Sequence, residues 1–192
     1  MKLGTLQDGT RDGCLVVVSR DLTRATSAQD IAPTLQAALD DWGRIGPRLE
    51  ARFVELQASA CTAFALDLTQ LAAPLPRAYA WIDSSPFLSH MERATKLRGA
   101  TPAKTYKDEP LFYDGLSSRF IASHDPLPLV PGDHGMDIEG ELAVLLDDVP
   151  QRTTPDDATT HIKLITLVND VSLRMVIQRA VANGEMPIFH GK

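Results

Sequence analysis

Cysteine is rare in this chain, with only Cys14 and Cys61 among its 192 residues. The two cysteines do not form a CxxC motif, so they indicate neither the disulfide framework of a small secreted domain nor a structural zinc site. Two reduced cysteines in a cytoplasmic protein are the simpler interpretation. We therefore expect a cytoplasmic location.

Aromatic residues and basic clusters are also scarce. Aromatics make up 6% of the chain, and 19 basic residues stand against 25 acidic ones, for a net charge of −6. No stripe of Lys and Arg is interleaved with aromatics, which argues against a nucleic-acid partner. The first residues lack the apolar stretch of a signal peptide, and no segment approaches the length that spans a bilayer, so we expect no membrane partner.

Hydrophobic residues, at 44% of the chain, suffice for a core in one or two domains. Near the N-terminus, residues 2–6 and 14–19 are predicted strands joined by a turn rich in Asp and Gly. Apolar residues three or four apart predict helices between residues 31 and 56, divided near Gly43 and Gly46-Pro47.

The proline-rich stretch at residues 72–76 predicts an extended linker, and we place a domain boundary there. The expected domains are residues 1–76, a hairpin plus helices, and residues 77–192. Thr154 and the proline after it predict the N-cap of a short helix. The other predicted elements of the second domain are a helix at 87–98, a short strand that ends in a turn within 111–115, strands at 137–146 and 161–168, and a helix at 172–182.

Acidic residues lie at the ends of two apolar runs of the second domain, those of the strands predicted at 137–146 and 161–168. Glu139-Gly-Glu141 opens one run, and Asn169-Asp170 closes the other. Side chains alternate along a strand, so Glu139 and Glu141 are predicted to share a face, where two carboxylates repel unless water or a cation neutralises them. A solvated strand face and a turn at Asp170 are the structural alternative. Three carboxylates without His or Cys favour a hard divalent cation over zinc.

Glu139-Gly-Glu141-Leu-Ala-Val and Leu167-Val-Asn-Asp170-Val-Ser-Leu-Arg174 resemble the fumarylacetoacetate hydrolase family. The segments at residues 1–21, 73–79 and 89–100 resemble its bacterial branch, so the resemblance covers nearly the whole chain. It implies an α+β fold, with a small N-terminal α/β domain followed by an incomplete mixed β-roll.

The resemblance also implies a set of site residues. Glu139, Glu141 and Asp170 correspond to the family's ligands for Mg²⁺, Mn²⁺ or Ca²⁺, and Asp114, in Asp114-Gly-Leu-Ser-Ser-Arg119, corresponds to a fourth ligand of some members. Lys192 stands where members bind a substrate oxyanion or carboxylate.

The general base is less directly indicated by the resemblance. Where some members carry their basic histidine, this chain has Ile121 or Ala122. Other members take the base from an H-x-x-E element on a lid helix, and His90-Met-Glu92 is the nearest match. His90 and Glu92 are therefore the expected catalytic pair, against the alternative of an exposed helix histidine and its neighbour.

The implied function is metal-dependent hydrolysis of a carbon–carbon bond in a small dicarbonyl or 2-oxo acid, such as an acylpyruvate, through a metal-stabilised enolate. Catabolism of aromatic compounds is the implied context, and a homodimer the usual assembly. Decarboxylases, hydratases and tautomerases of the same family are alternatives. From another class, we consider a truncated, catalytically silent fragment that acts only through self-association, because family chains continue past the position of Lys192.

Overall fold

The computed structural model of the chain describes residues 1–97, 99, 101, 104–109, 111–128, 131–185 and 191. Within these ranges the chain combines helices with small antiparallel sheets, and no sheet closes into a barrel. The expected α+β class is thereby confirmed. The described residues form two compact units, one from residues 1–78 and 119–192 and the other from residues 79–118. The domain boundary at residue 76 stays a prediction.

A four-stranded antiparallel sheet begins the first unit, in the order β1-β2-β3-β4. The predicted first hairpin is confirmed. In its turn, Asp8 Oδ1 accepts a hydrogen bond from the Thr10 N–H at 2.9 Å. Gly13 has a φ of 60°, and a side chain there would collide with the Leu6 carbonyl. The strands are Lys2–Leu6, Cys14–Val18, Arg24–Ser27 and Phe64–Ala65.

Two helices cover this sheet, α1 at Leu35–Leu39 and α2 at Trp42–Gln57. The predicted pair of helices is confirmed, but the predicted place of their division is wrong, because they separate before Trp42 and Pro47 lies inside α2. Proline lacks the N–H that would bond to the carbonyl of Gly43, but this loss falls early in the helix, which continues for ten residues beyond it.

The main core lies between one face of this sheet and the two helices. Leu15 and Leu49 are both fully buried there. Burial of one such side chain contributes about 1.5–3 kcal/mol relative to leaving it exposed. The buried core residues are Leu15, Val17, Ala28, Ile31, Ala32, Leu35, Ala38, Leu39, Ile45, Leu49, Phe53 and Leu56.

The second unit contains the helix α3 at Leu88–Leu97 and a two-stranded sheet. Its strands are β5 at Ile82–Ser84 and β6 at Phe112–Asp114, paired antiparallel. The predicted helix and the predicted strand near residue 112 are both confirmed. The expected last residue of the helix, Arg98, lies outside the described residues.

The C-terminal part of the first unit is built on a hairpin in which β8 and β9 pair antiparallel. A short helix, α4, precedes β9, and Thr154 caps it as predicted, accepting a hydrogen bond from the Asp157 N–H at 3.2 Å. A second pair, β7 with β10, leads into the helix α5. The bounds are Met136–Asp137 (β7), Gly140–Leu146 (β8), Pro155–Ala158 (α4), Ile162–Asn169 (β9), Ser172–Leu173 (β10) and Arg174–Ala182 (α5).

The strand predicted at residues 137–146 is interrupted. β7 ends at Asp137 and β8 begins at Gly140, so Ile138 and Glu139 lie outside both strands. The N–H of Glu139 donates to the Asn169 side chain instead of to a strand carbonyl. The expected alternation of Glu139 and Glu141 on a single strand face therefore does not hold.

The β8–β9 hairpin has apolar residues on both faces. Leu145 and Leu164 pack against the N-terminal core. On the other face Leu142 pairs with Leu167, and these side chains are 58% and 80% exposed. None of the helices in the described part of the chain is long and apolar enough to cross a membrane.

Candidate metal centre

One end of the β8–β9 hairpin brings two of the predicted acids together. Gly140 pairs with Asn169 and Glu141 with Val168, so Glu141 is the second residue of β8 and Asp170 directly follows β9 at the same end. Glu141 and Asp170 each place a carboxylate oxygen within 4.8 Å of the other, and both residues are half-buried. The strand register is therefore what makes these two acids neighbours.

The separation of the two carboxylates suits a shared cation. Two oxygens that bind one ion at about 2.0–2.6 Å each stand no more than about 4–5 Å apart. Carboxylate oxygens are ligands that Mg²⁺, Mn²⁺ and Ca²⁺ accept, and without a cation such a pair repels. Glu141 and Asp170 therefore fit a hard divalent ion as two of its ligands.

Backbone hydrogen bonds tie the segment before β8 to the residues after β9. The Asp170 N–H donates to the Glu139 carbonyl at 2.9 Å, and the Glu139 N–H donates to Asn169 Oδ1 at 3.1 Å. Ser172, fully buried, directs its hydroxyl to the carbonyl of Asp170 at 3.4 Å. These bonds fix the backbone on both sides of the carboxylate pair.

Glu139 itself is held by an arginine. Its Oε1 accepts a hydrogen bond from Arg174 Nη2, while Arg174 Nε donates to Asp137 Oδ2 at 3.0 Å. Burial lowers the pKa of Arg174, but the hydrogen bonds to Glu139 and Asp137 outweigh it and leave that pKa raised. The hydrogen bond that Arg174 donates to Asp137 holds the pKa of Asp137 below its usual value. Among the described residues, Glu139 does not come within 4.8 Å of both Glu141 and Asp170.

Asp114, the expected fourth ligand, ends β6 in the second unit and is exposed. Its strand neighbour Tyr113 donates a hydrogen bond to Asp83 Oδ2 at 3.1 Å, and Asp83 is only 9% exposed. No sequence pattern marks Asp83, because a single acid in a three-residue strand forms no period from which its burial could be predicted. The role of Asp114 stays a prediction.

His90 and Glu92 both lie on α3 and are exposed. Glu92 Oε1 accepts a hydrogen bond from the Tyr106 hydroxyl at 3.0 Å. Residues two apart on a helix point to different sides, so α3 does not aim Glu92 at His90. Their catalytic roles stay predictions, and Lys192 lies outside the described residues.

A separate, open pocket of about 380 Å³ lies beside the N-terminal sheet. Arg52 lines it, but its guanidinium is occupied by the Asp30 carboxylate, at 2.8 and 3.2 Å, and by the Ser27 carbonyl at 2.7 Å. The hydrogen bonds to Arg52 hold the pKa of Asp30 low. Since Arg52 is already paired with Asp30 and, at 3.3 Å, with Glu55, we place the candidate chemistry at the carboxylate pair.

This α+β chain therefore has an antiparallel hairpin that gathers, at one end, two carboxylates that could hold a metal ion. Residues 80–192 match the sequence profile of the fumarylacetoacetate (FAA) hydrolase C-terminal domain, and residues 1–77 match that of the fumarylacetoacetase N-terminal domain 2. The chain therefore belongs to the fumarylacetoacetate hydrolase family, and the resemblance is confirmed. This family is largely enzymatic, with hydrolases, decarboxylases and isomerases among its members. No curated protein matches the chain.

Proposed function

We propose that the chain is a metal-dependent hydrolase that cleaves a carbon–carbon bond in a small dicarbonyl or 2-oxo acid of the acylpyruvate type. The observation that carries this proposal is the approach of Glu141 and Asp170 to within 4.8 Å at one end of the β8–β9 hairpin. Membership of a largely enzymatic family supports it.

Glu141 and Asp170 would hold the ion, and the family pattern adds Glu139 and Asp114 to them. A bound Mg²⁺, Mn²⁺ or Ca²⁺ would act as a Lewis acid toward the oxo groups of the substrate and balance the negative charge of an enolate. Glu141 and Asp170 alone would balance the charge of a divalent ion, whereas all four carboxylates would leave a net charge of −2 at the site.

The reaction consumes one water molecule. Water adds to the acyl carbonyl, the bond from that carbon to the neighbouring methylene breaks, and the methylene carbon takes up a proton. His90 is the proposed base that removes the proton from water, with Glu92 as its partner and Lys192 as the cation for a substrate carboxylate. The family pattern supports these three roles, and the exposure of His90 leaves its imidazole accessible to solvent.

The remaining features of the proposal follow from the family. We propose a homodimer located in the cytoplasm, acting in the catabolism of aromatic compounds, with a small-molecule substrate as its partner. Size-exclusion chromatography with light scattering tests the dimer directly.

Metal binding is the first experiment. Mn²⁺ is titrated into the 192-residue chain by calorimetry, and Glu141→Gln and Asp170→Asn are each expected to weaken binding at least tenfold. Asp148→Asn removes the same charge from an exposed position after β8 and serves as the matched control. Equal affinity in all four chains would remove the carboxylate pair as the site.

Activity is the second experiment. With Mn²⁺ or Mg²⁺ present, the chain is expected to convert an acylpyruvate to pyruvate and the free carboxylic acid. Glu141→Gln should abolish this turnover, whereas Asp148→Asn should retain it. Release of carbon dioxide with no carboxylic acid would instead assign the chain to the decarboxylases of the family.

A further inference from the structure

Arg174 joins two acids of the segment that precedes β8. Its Nε donates to Asp137 at 3.0 Å, and its Nη2 donates to Glu139. The backbone N–H of Arg174 also donates to the Gly135 carbonyl at 2.9 Å, so the residue is anchored at both ends of its side chain. Asp137 and Glu139 stand two residues apart, and the guanidinium bridges both, so the three groups together keep a net charge of −1.

Glu139 thus has a cationic partner within the chain, the Arg174 guanidinium. The Glu139 side chain is only 19% exposed, which strengthens its attraction to a guanidinium above that of an open surface pair. A guanidinium and a divalent cation seek the same oxygens, and an oxygen held by one is less available to the other. Among the described residues, Glu139 does not come within 4.8 Å of both Glu141 and Asp170.

We propose that Arg174 is a positioning residue that holds Glu139 apart from Glu141 and Asp170 and competes with the divalent cation for the Glu139 carboxylate. This inference rests on the proposed metal site. Arg174 thereby weakens cation binding, because the ion must either displace the guanidinium from Glu139 or bind with fewer carboxylates. The cation and the arginine are alternative partners of one acid.

The test is a Mn²⁺ titration of the 192-residue chain and three variants. Arg174→Gln is expected to bind Mn²⁺ about tenfold more tightly, as a positive charge leaves a partly buried carboxylate. Arg174→Lys keeps the positive charge but has no planar fork to hold two acids. Its Mn²⁺ affinity should therefore lie between that of the unaltered chain and that of Arg174→Gln. Arg179→Gln, which removes a positive charge from an exposed position on the same helix, should bind within twofold of the unaltered chain.

A double-mutant cycle shows whether the effect passes through Glu139. With Glu139→Gln in place, the further change Arg174→Gln should alter Mn²⁺ affinity less than twofold. A tenfold gain that persists in this background would mean that Arg174 acts only by its charge, and the proposal would be overturned. Unchanged or weaker binding by Arg174→Gln in the original background would overturn it too.

Two further outcomes separate this inference from the proposed function. If the unaltered chain binds Mn²⁺ through Glu141 and Asp170 but Arg174→Gln gives no gain, only the role of Arg174 is lost. If neither chain binds Mn²⁺, the metal site and the role of Arg174 fall together. Circular dichroism checks that Arg174→Gln is folded, and if it is not, an affinity of Arg174→Lys equal to or below that of the unaltered chain overturns the proposal.

Discussion

The side-chain oxygen of Asn169 accepts a hydrogen bond from the backbone N–H of Glu139 at 3.1 Å, although the two residues are 30 positions apart in the chain. Asn169 ends β9, and the next residue, Asp170, returns a backbone hydrogen bond to the Glu139 carbonyl at 2.9 Å. An amide side chain thus replaces a strand carbonyl at the point where β7 and β8 are interrupted. The backbone between the candidate ligands depends on this replacement.

We expect Asn169→Ala to weaken Mn²⁺ binding by about tenfold, the lower end of the usual effect of removing a residue that orients metal ligands. The N–H of Glu139 loses its partner, and the segment that carries Glu139 and leads into Glu141 is less firmly placed. Calorimetric titration measures the affinity. The loss of one such hydrogen bond should also lower the free energy of unfolding by about 0.5–1.5 kcal/mol.

Asn169→Asp is the matched control, since it keeps an oxygen in the accepting position. Its Mn²⁺ affinity should stay within threefold of the unaltered chain or rise, because the added charge attracts the ion. If Asn169→Ala and Asn169→Asp weaken binding equally, the hydrogen bond is not what places the ligands.

Local sequence signals predicted the parts of the fold that local interactions decide. The hairpin between β1 and β2 follows from its turn, in which Asp8 accepts a hydrogen bond from the Thr10 N–H and Gly13 adopts a positive φ. The helix α4 follows from Thr154, which directly precedes it and caps it by accepting a hydrogen bond from the N–H of Asp157, three residues later. In each case the interacting groups lie within a few positions of one another in the sequence, so the local sequence is enough to predict the element.

The incorrect predictions concern features of the fold that depend on residues far apart in the sequence. The strand break at Glu139 depends on Asn169, which no local pattern connects to it. Pro47 lies inside α2 because the helix face that packs on the core outweighs one lost hydrogen bond. At the candidate site, too, part of the arrangement could be predicted from the sequence and part depends on the fold. The resemblance identified Glu141 and Asp170 as partners, but only the fold shows that Arg174 holds Glu139.

A core prediction concerns Leu49, which is fully buried on α2. Leu49→Ala should lower the free energy of unfolding by about 2–5 kcal/mol, through lost burial and the cavity left behind. On the same helix Val54 is 61% exposed, and Val54→Ala should change stability by no more than about 0.5 kcal/mol. Urea unfolding followed by circular dichroism measures both. A cost below about 1 kcal/mol for Leu49→Ala would contradict the described core.

His90 carries the prediction about catalysis. If its imidazole is the general base, His90→Gln should lower kcat on an acylpyruvate by about 100-fold or more and leave Mn²⁺ affinity within twofold. His124, an exposed histidine outside the helices and strands, gives the matched control, and His124→Gln should retain full activity. Full activity in His90→Gln would exclude His90 as the base.

Glu92→Gln tests whether His90 needs an acidic partner. Glu92 accepts a hydrogen bond from Tyr106, and a glutamine oxygen can accept the same bond. We therefore expect kcat to fall less than tenfold in this variant, with the loss due to the missing charge alone. A fall as large as that of His90→Gln would show that the two residues act as one unit.

The turn between β2 and β3 makes stability depend on pH. The Ser19 hydroxyl, followed by the hydroxyl and N–H of Thr23, donates to the Asp21 carboxylate and lowers its pKa to about 2. The unfolded chain releases this proton near pH 3.9, so the stabilisation is complete above about pH 4 and is lost as the pH falls toward 2. The difference in free energy of unfolding between the unaltered chain and Asp21→Asn, taken from urea unfolding between pH 2 and pH 6, should therefore shrink on acidification. A difference that stays constant over this range, or an Asp21 titration near pH 4 by NMR, would contradict the described turn.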